Sequence, residues 1–254
     1  MSSDHFSAQS AEYAKYRPTY PAELFDWLAA NCSSRDLAWD CACGSGQATS
    51  GLASRFRSVI ATDLSRAQLD HAPACSNIEW RVAHAEESGL GASSVDLVTV
   101  AQALHWFDLP RFWVEVNRIL KPDGVIAVWC YGVFELDNPQ INAVCERFYR
   151  ETVGAFWPPE RCIVEEGYAS IPFPFLEIPS PRFHLQVDWS LEQLLGYFAS
   201  WSATTRYRQT KGLDPIAELR AVLTPHFTMP TIRVRWPLST RLGRKLKDND
   251  NPRA

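Results

Sequence analysis

The segment Leu37-Ala38-Trp39-Asp40-Cys41-Ala42-Cys43-Gly44-Ser45-Gly46 decides the fold of this chain. Residues 37–41 are mostly apolar and predict a short buried strand, and residues 47–56 predict a helix. The glycines between them permit positive φ angles and let the backbone pass close to a ligand. Because the first N–H groups of a helix lack partners within it, they would point at the same space. The segment therefore predicts a ligand-binding corner of an α/β protein.

The rest of the first half continues the alternation of strands and helices. A second predicted strand over 58–63 ends at Asp63, 17 positions after Gly46 (63 − 46). In nucleotide-binding βαβ units, an acid at a spacing of roughly 20 residues meets ribose hydroxyls. The further predictions are strands over 78–82, 95–101, 125–129 and 231–236, helices over 65–72 and 109–120, and a turn at 121–124. This order predicts a parallel sheet covered by helices on both faces.

The composition argues against several kinds of partner. A formal net charge of −4 gives no general attraction for phosphate backbones, so nucleic acid is not an expected partner. The seven cysteines are odd in number and scattered, which predicts a reducing, cytoplasmic setting. No apolar run approaches the ~20 residues that cross a bilayer, so no membrane partner is expected. The basic residues within 241–247 predict a solvated tail.

Asp40, near the end of the first predicted strand, helps to choose the ligand. Its carboxylate would repel the pyrophosphate of a dinucleotide bound at the glycine loop. S-adenosylmethionine carries no phosphate, and its ammonium and sulfonium groups would be attracted by the same charge. The electrostatics therefore favour a methyl donor. A nicotinamide-dependent oxidoreductase on a similar sheet and a non-catalytic protein that binds S-adenosylmethionine remain the alternatives.

Several short motifs resemble those of class I S-adenosylmethionine-dependent methyltransferases. Residues 38–47 resemble the family's first motif, except that the family usually has glycine where this chain has Ala42. Residues 60–63 resemble the second strand with its ribose-binding acid. Residues 83–86 take the place of the adenine-contacting segment, with His84 where the family commonly has aspartate. The resemblance implies S-adenosylmethionine as the cofactor and S-adenosylhomocysteine as its product.

A closer resemblance is to the trans-aconitate methyltransferase-like group of small-molecule enzymes. It is carried by short motifs at residues 16–21, 104–108, 200–202 and 236–238. The family implies an α/β, Rossmann-like doubly wound, mostly parallel seven-stranded sheet with helices on both faces and a C-terminal helical cap. Its members transfer the methyl group to a small-molecule acceptor by in-line displacement. For this chain we expect a monomer or a homodimer. The expected parts are a cofactor-covering segment and helix (1–35), a cofactor-binding core (36–131), a substrate-binding cap (132–223) and a return strand with the basic tail (224–254).

The cofactor residues are expected on the N-terminal segment, in the glycine loop and at the strand ends. Arg17 precedes the first helix and, as the resemblance implies, would pair with the methionine carboxylate. Leu64 is expected beside the adenine, and Gln102 beside the amino group of the cofactor or beside the acceptor. The full expected set is Tyr13, Arg17, Asp40, Ala42, Gly44, Gly46, Asp63, Leu64, Ala85, Glu86 and Gln102.

The acceptor site is expected beyond the carboxyl ends of the strands, where open α/β sheets place their ligands. His105 follows the fourth predicted strand and is the candidate catalytic base or acceptor-orienting donor, with a purely structural histidine as the alternative. An arginine among aromatic side chains of the cap suits a small carboxylic acid, and ordinary cap core is the alternative there. The acceptor candidates are His105, Trp106, Trp157, Trp201, Arg206 and Tyr207. No metal ligands are predicted.

Overall fold

A computed structural model describes residues 19–246 of the chain. Its centre is one sheet, to which nine strands belong within these residues. The strands are β1 (Leu37–Cys41), β2 (Ser58–Asp63), β3 (Ile78–Val82), β4 (Val95–Ala101), β5 (Leu120–Tyr131), β6 (Glu135–Leu136), β7 (Leu176–Ile178), β8 (Phe183–Trp189) and β9 (Ile232–Arg244). The order across the sheet is β3-β2-β1-β4-β5-β9-β6, and β7 and β8 also pair with β9.

Helices cover the sheet and form much of the cap. The α-helices of the described residues are α1 (Ala22–Ala30), α2 (Thr49–Ala53), α3 (Arg66–Leu69), α4 (Leu109–Ile119), α5 (Pro139–Arg147), α6 (Arg161–Glu165), α7 (Leu191–Ala199), α8 (Ser202–Lys211) and α9 (Pro215–Leu223). Polar side chains fix where several of them begin: Asp108 caps α4 and Ser190 caps α7, each by accepting a backbone N–H bond of the first turn. Between residues 19 and 246, no helix is long and apolar enough to cross a membrane.

Strands β1 to β5 form a parallel part of the sheet, which confirms the predicted α/β fold. Strand β1 lies between β2 and β4, so the order of strands reverses there. Asp40 of β1 stands beside Ala61 of β2 on one side and Thr99 of β4 on the other. In open α/β sheets, ligands bind beyond the carboxyl ends of the strands at such a reversal. The glycine loop follows β1 at this point.

Strand β9 is the centre of an antiparallel part of the sheet, of which only the strand over 231–236 was predicted from the sequence. It pairs with β5 over residues 238–244 and with β8 over residues 232–238. The segment 132–223, predicted as a helical cap, also supplies the strands β6, β7 and β8. The sheet therefore has nine strands where seven were predicted. Side chains of β8 mostly alternate between buried and exposed, the period of two that marks a strand.

Two local predictions are corrected near the parallel strands. The helix predicted over 47–56 is confined to Thr49–Ala53, because the preceding residues form the left-handed turns of the glycine loop. Residues 121–124, predicted as a turn, belong to β5. They form an irregularity in that strand, where Asp123 has a φ of 63° and the register with β4 shifts.

The predicted solvated tail is also corrected for Arg241, Arg244 and Lys245, whereas Lys247 lies outside the described residues. Arg244 donates from its guanidinium to the carbonyl oxygens of Asp123 and Asn31. Lys245 donates to the carbonyl oxygen of Leu120. These basic side chains therefore fasten the last strand to the rest of the fold, since they satisfy carbonyl groups that would otherwise need water.

The core lies on both faces of the sheet. One cluster joins α1, Trp129 of β5 and Trp236 of β9 to the aromatic side chains of the cap. The second cluster packs Trp39 of β1 against Phe112 of α4. Because the cap shares the first cluster with the sheet, its aromatic residues are held against the same framework that carries the glycine loop.

Candidate active site

The glycine loop turns sharply after β1 through a series of left-handed residues. Gly44 has a φ of 57° and Gly46 a φ of 87°. A Cβ atom at Gly46 would overlap the ring of Trp80 on β3, so this position has no room for a side chain. At Gly44 the nearest atom to such a Cβ is Oε1 of Gln68, at 3.9 Å. The loop is therefore closely packed against Trp80 at Gly46 and has free space beside Gly44. The free space at Gly44 suits close approach of a ligand to the backbone.

Ala42 adopts the backbone conformation of the glycine that the resemblance expects. Its φ is 53°, a region that costs an L-amino acid with a side chain on the order of 1 kcal/mol. The next residue, Cys43, donates its N–H to the carbonyl oxygen of Thr62 at 2.9 Å. The bond to β2 thus holds the loop in place in spite of the strain at Ala42.

Asp63 links the end of β2 to the glycine loop. Its Oδ2 atom accepts the N–H of Gly44 at 2.9 Å, and its Oδ1 atom accepts the N–H of Ser65 at 2.8 Å. Asp63 as a whole is half-buried. Its predicted role with a ribose stays a prediction, and its position beside the loop is the one that such a role needs.

Asp40 does not line the loop as predicted. It lies within β1, is 0 % exposed, and accepts hydroxyl protons from Thr49 at 2.6 Å and Thr99 at 2.8 Å. Burial raises its pKa to about 6, against the two hydroxyl bonds that lower it. The predicted direct contact between Asp40 and an ammonium group of the cofactor is therefore wrong, because the carboxylate is enclosed by protein. At neutral pH its negative charge still acts through the protein beneath the loop.

An exposed apolar side chain lies at the end of β3 and another directly follows β2. Leu64 is 52 % exposed and Val82 is 51 % exposed, and Val82 pairs in register with Asp63. Sequence reasoning named Leu64 and missed Val82, although its place at the end of a predicted strand was a usable signal. Ala85 is buried just beyond, and Glu86 accepts the N–H of Asp108 at 2.9 Å. Exposed apolar side chains at this edge of the sheet suit contact with a flat ring such as adenine.

Gln102 follows β4 in a strained conformation, with a φ of 60°. Its backbone N–H donates to the carbonyl oxygen of Trp129, and its side-chain amide donates to the carbonyl oxygen of Tyr131, both at 2.9 Å. Strained residues of this kind concentrate at functional sites. Its amide nitrogen joins the ends of β4 and β5, and its predicted contact with the cofactor or acceptor stays a prediction.

His105 sits on a short 3₁₀ turn, Leu104–Trp106, just beyond β4. Its Nδ1 atom lies 3.0 Å from the hydroxyl oxygen of Tyr168, a residue that sequence reasoning missed. Burial, together with the positive charge of Arg161, lowers the pKa of His105 to about 4. The imidazole is therefore neutral at pH 7, and its low pKa makes it a poor general base.

The aromatic cluster of the cap contains Trp157 and Trp201, whose ring centroids are 5.2 Å apart. Trp201 is 4 % exposed, so it forms part of the cap core, which was the alternative to its predicted place in the acceptor site. Arg161 lies over the Trp157 ring, 4.8 Å from its centroid, and donates to the hydroxyl of Tyr149 at 2.8 Å. The cation found among these aromatic side chains is Arg161, which the sequence analysis did not name.

The other predicted acceptor residues occupy different positions. Trp106 is exposed and packs against His105, with ring centroids 4.7 Å apart. Tyr207 packs against Phe156 at 5.1 Å, and Arg206 is half-buried on the same helix, α8. The structure thus brings Trp106 to the histidine, whereas the roles of Arg206 and Tyr207 stay predictions. Tyr13 and Arg17 lie outside the described residues.

The site therefore has two sides at the reversal of strand order. The cofactor side consists of the glycine loop, Asp63 and the apolar ends of β2 and β3. The second side, called the acceptor side after the role proposed below, consists of His105 and Tyr168, together with Arg161, whose charge acts on His105 and which lies over the Trp157 ring. Among residues 19–246, no group of three or more His, Cys, Asp and Glu side chains is placed to hold a metal ion. Fold and site define a doubly wound α/β protein with a nucleotide-type site next to a second, aromatic site.

Comparisons with known proteins give the family. A family model described as a methyltransferase domain matches residues 39–128. A Dictyostelium discoideum protein named "Putative methyltransferase" is 37% identical over 250 residues, which cover 95% of each chain. The chain belongs to the methyltransferase-domain family, and its fold is that of the class I methyltransferases. The narrower resemblance to trans-aconitate methyltransferases stays a prediction.

Two further proteins support this assignment. A solved Anaeromyxobacter dehalogenans structure, described as "a Putative Type II Methyltransferase", is 43% identical and superposes with a TM-score of 0.86. The match covers 91% of this chain and 98% of that chain. A Saccharomyces cerevisiae protein named "Probable S-adenosylmethionine-dependent methyltransferase CRG1" is 35% identical over 132 residues, 48% of this chain and 45% of its own.

Proposed function

We propose that this protein transfers a methyl group from S-adenosylmethionine to a small-molecule acceptor, and that the acceptor is a small carboxylic acid. The observation that carries the proposal is the 2.9 Å hydrogen bond from the Gly44 N–H to Asp63, next to the exposed Leu64. Together these residues offer a carboxylate for ribose hydroxyls, a glycine backbone for close approach and an apolar surface for the adenine ring. The name of the yeast relative supports the same cofactor.

The described residues fit S-adenosylmethionine better than a nicotinamide dinucleotide. Asp40 is fully buried below the loop and, with a pKa of about 6, is mostly ionised at pH 7. Its field in a medium of low dielectric disfavours a pyrophosphate above the loop and favours a cation. Asp63 and Gly44 would hold the ribose side, and Leu64 with Val82 the adenine. Arg17 and Tyr13 are proposed to cover the methionine part.

The chemistry that the cofactor supplies is a methyl carbon made electrophilic by a positively charged sulfur. The protein's own part is to align an acceptor lone pair with that carbon and to exclude water. A carboxylate acceptor is ionised at pH 7 and needs no base. The low pKa of His105, about 4, fits such an acceptor because no proton has to be removed.

The acceptor side also offers groups that a carboxylate would satisfy. The indole N–H of Trp157 is buried and has no hydrogen-bond partner in the part of the chain that is described. Buried donors are normally paired, so this N–H is available to an oxygen of a bound molecule. Arg161 stands over the same ring and supplies a positive charge. We therefore assign Trp157 and Arg161 to the acceptor site, with Arg206 as a second candidate cation.

Calorimetric titration of the full chain with S-adenosylmethionine, and separately with reduced nicotinamide dinucleotide, tests the cofactor. We expect binding of the first only. Asp63→Asn should weaken it about 100-fold, because a hydrogen bond to a charged group is worth roughly 1.5–3 kcal/mol. Asp70→Asn is the matched control, since Asp70 is an exposed acid paired with Arg66 on α3. Binding of the dinucleotide instead would overturn the proposal.

Transfer is tested with S-adenosylmethionine labelled in its methyl group. The labelled cofactor is incubated with the protein and with separate panels of small carboxylic acids, amines and phenols. We expect label in an ester of a carboxylic acid. Label only in an amine or phenol product would contradict the acceptor class. Tight cofactor binding with no transfer to any panel would support the non-catalytic alternative.

A further inference from the structure

Tyr168 is a buried residue whose backbone is held in an unfavourable conformation. It is 0 % exposed and has a φ of 64°, directly after Gly167 with a φ of 63°. Its N–H donates to the carbonyl oxygen of Ile163 at 3.0 Å, which ties it to α6. A non-glycine residue keeps such a conformation only where the surrounding structure imposes it.

Arg241 of β9 holds the segment that carries Tyr168. Its Nη1 atom donates to the carbonyl oxygens of Tyr168 at 3.0 Å and Ile171 at 2.7 Å. Its guanidinium also pairs with Glu177 at 2.6 Å and lies 4.6 Å from the centroid of the Phe173 ring. These four contacts fix the guanidinium of Arg241 against the segment that carries Tyr168. Strand β9 therefore holds the backbone of Tyr168 in place, and with it the direction of its hydroxyl.

The Tyr168 hydroxyl meets His105 in a geometry with one favourable proton arrangement. Its oxygen lies 3.0 Å from Nδ1 of His105, which is the hydrogen-bond partner of this buried hydroxyl among residues 19–246. Because buried donors are normally paired, the hydroxyl proton is donated to this nitrogen, which must then carry no proton of its own. Burial raises the pKa of Tyr168 well above its usual value, so this proton stays on the hydroxyl.

We propose that Tyr168 is a positioning residue: held by Arg241, it donates to Nδ1 of His105 and fixes the neutral ring with its proton on Nε2. If the protein is the methyltransferase proposed above, His105 then presents an N–H donor to the acceptor. It orients an oxygen lone pair and does not remove a proton. The charged group that acts on the ring is Arg161, which also disfavours a second proton on it.

The tautomer can be observed without cofactor or acceptor, in the full chain labelled with ¹⁵N-histidine. Long-range ¹H–¹⁵N correlation spectra distinguish a protonated ring nitrogen from a bare one, and the His105→Gln spectrum identifies the His105 signals. We expect the proton on Nε2 and a bare, hydrogen-bonded Nδ1 at neutral pH. A proton on Nδ1 in the unsubstituted protein would overturn the proposal, whatever its activity proves to be.

Tyr168→Phe tests the cause of the arrangement. Without the hydroxyl, no donor keeps Nδ1 bare, so the ¹⁵N-histidine spectrum of Tyr168→Phe should show the ring proton shared between Nδ1 and Nε2, while burial and Arg161 keep the ring neutral. Tyr197→Phe is the matched control, because that buried hydroxyl contacts Nε1 of Trp236 instead. A His105 ring with the proton on Nε2 alone in all three proteins contradicts the proposal. If Tyr168→Phe does not fold, the spectrum of the unsubstituted protein still decides.

A kinetic comparison separates a donor from a base. The side-chain amide of His105→Gln can place an N–H near the Nε2 position but cannot act as a base, whereas His105→Ala offers neither. With the labelled cofactor and the acid panel, we expect His105→Gln to retain about tenfold more transfer than His105→Ala, the worth of one hydrogen bond. Equal losses would contradict the donor role. Failure of cofactor binding in the calorimetry identifies failure of the proposed function separately.

Discussion

The parallel strands β1–β5 and the antiparallel strands β6–β9 with the cap build the two sides of the site in different ways. On the cofactor side, the Asp63–Gly44 bond joins residues 19 positions apart. On the acceptor side, Tyr168 meets His105 across 63 positions and Arg241 across 73. The cofactor side is thus a local structure of one βαβ unit, whereas the acceptor side depends on the return of β9. Substitutions in the two regions should therefore affect different properties.

The largest effect is expected at Gly46. Gly46→Ala places a methyl group against the Trp80 ring at a φ of 87°, so both a clash and backbone strain oppose folding. We expect a loss of about 3 kcal/mol in unfolding free energy and loss of cofactor binding. Gly89→Ala is the control, since Gly89 has a φ of 70° but no atom within 4 Å of the new Cβ. It should cost about 1 kcal/mol and leave binding unchanged.

Denaturant unfolding and calorimetry measure both effects of the glycine substitutions. The comparison isolates the Trp80 contact, because the two glycines share the positive φ and differ in the space around them. Equal losses in the two variants would show that backbone strain, and not the close approach to Trp80, governs the loop.

The next largest effect is expected on the acceptor side, at Arg241. Arg241→Ala removes two carbonyl hydrogen bonds, the Glu177 pair and the stacking on Phe173. We expect a loss of about 2–3 kcal/mol in unfolding free energy. Transfer to the acceptor should fall while the dissociation constant of the cofactor stays unchanged.

Arg233→Ala is the matched control on the same strand. Arg233 forms an exposed ion pair with Asp188, and such pairs contribute little to stability. We expect no loss of transfer from it. If Arg241→Ala weakened cofactor binding as strongly as it reduced transfer, the separation of the two sides would be wrong.

The same distinction explains how much the sequence alone predicts. The parallel strands, the glycine loop and Asp63 are predictable because a βαβ unit brings nearby residues together by local geometry. Tyr168 is not, because it lies in a segment without a regular period and is placed by Arg241 from a distant strand. The cap was predicted in part. An arginine among aromatic side chains was expected there, but the arginine that the structure places over Trp157 is Arg161 of α6.

Asp40 shows a different limit of prediction. Its presence beside the loop was predicted, yet its direction was not, because the register of β1 against β4 brings Thr99 next to it. A sequence motif identifies an acid at that position but not which way its carboxylate points. Its role therefore changed from a ligand contact to a buried charge.

Asp40 and His105 should affect the pH dependence of stability in opposite directions. The pKa of Asp40 is raised from 3.8 to about 6, so the folded state binds this proton more tightly and gains stability as the pH falls through 6. The pKa of His105 is lowered from 6.5 to about 4, so the folded state loses stability as the pH falls below 6.5. At about 1.4 kcal/mol per pKa unit, each contribution is at most about 3 kcal/mol.

Unfolding free energies measured from pH 7 to pH 4 test these signs. Asp40→Asn removes the gain, so its stability should fall more steeply with acidification than that of the unsubstituted protein. His105→Gln removes the loss, so its stability should fall less steeply. Three parallel curves would mean that neither group is perturbed in the folded state.

The smallest effect is expected at Ala42, where this chain departs from the family's glycine. Ala42→Gly relieves the strain of a φ of 53° but adds backbone entropy to the unfolded chain, so the net gain should stay below about 1 kcal/mol. Ser93→Gly is the control, because Ser93 has a φ of 49° in an exposed turn away from the loop. Both variants should gain slightly in thermal stability. Only Ala42→Gly should tighten cofactor binding in calorimetry, since only it removes a methyl group from the loop; an equal change in both would assign the effect to backbone strain alone.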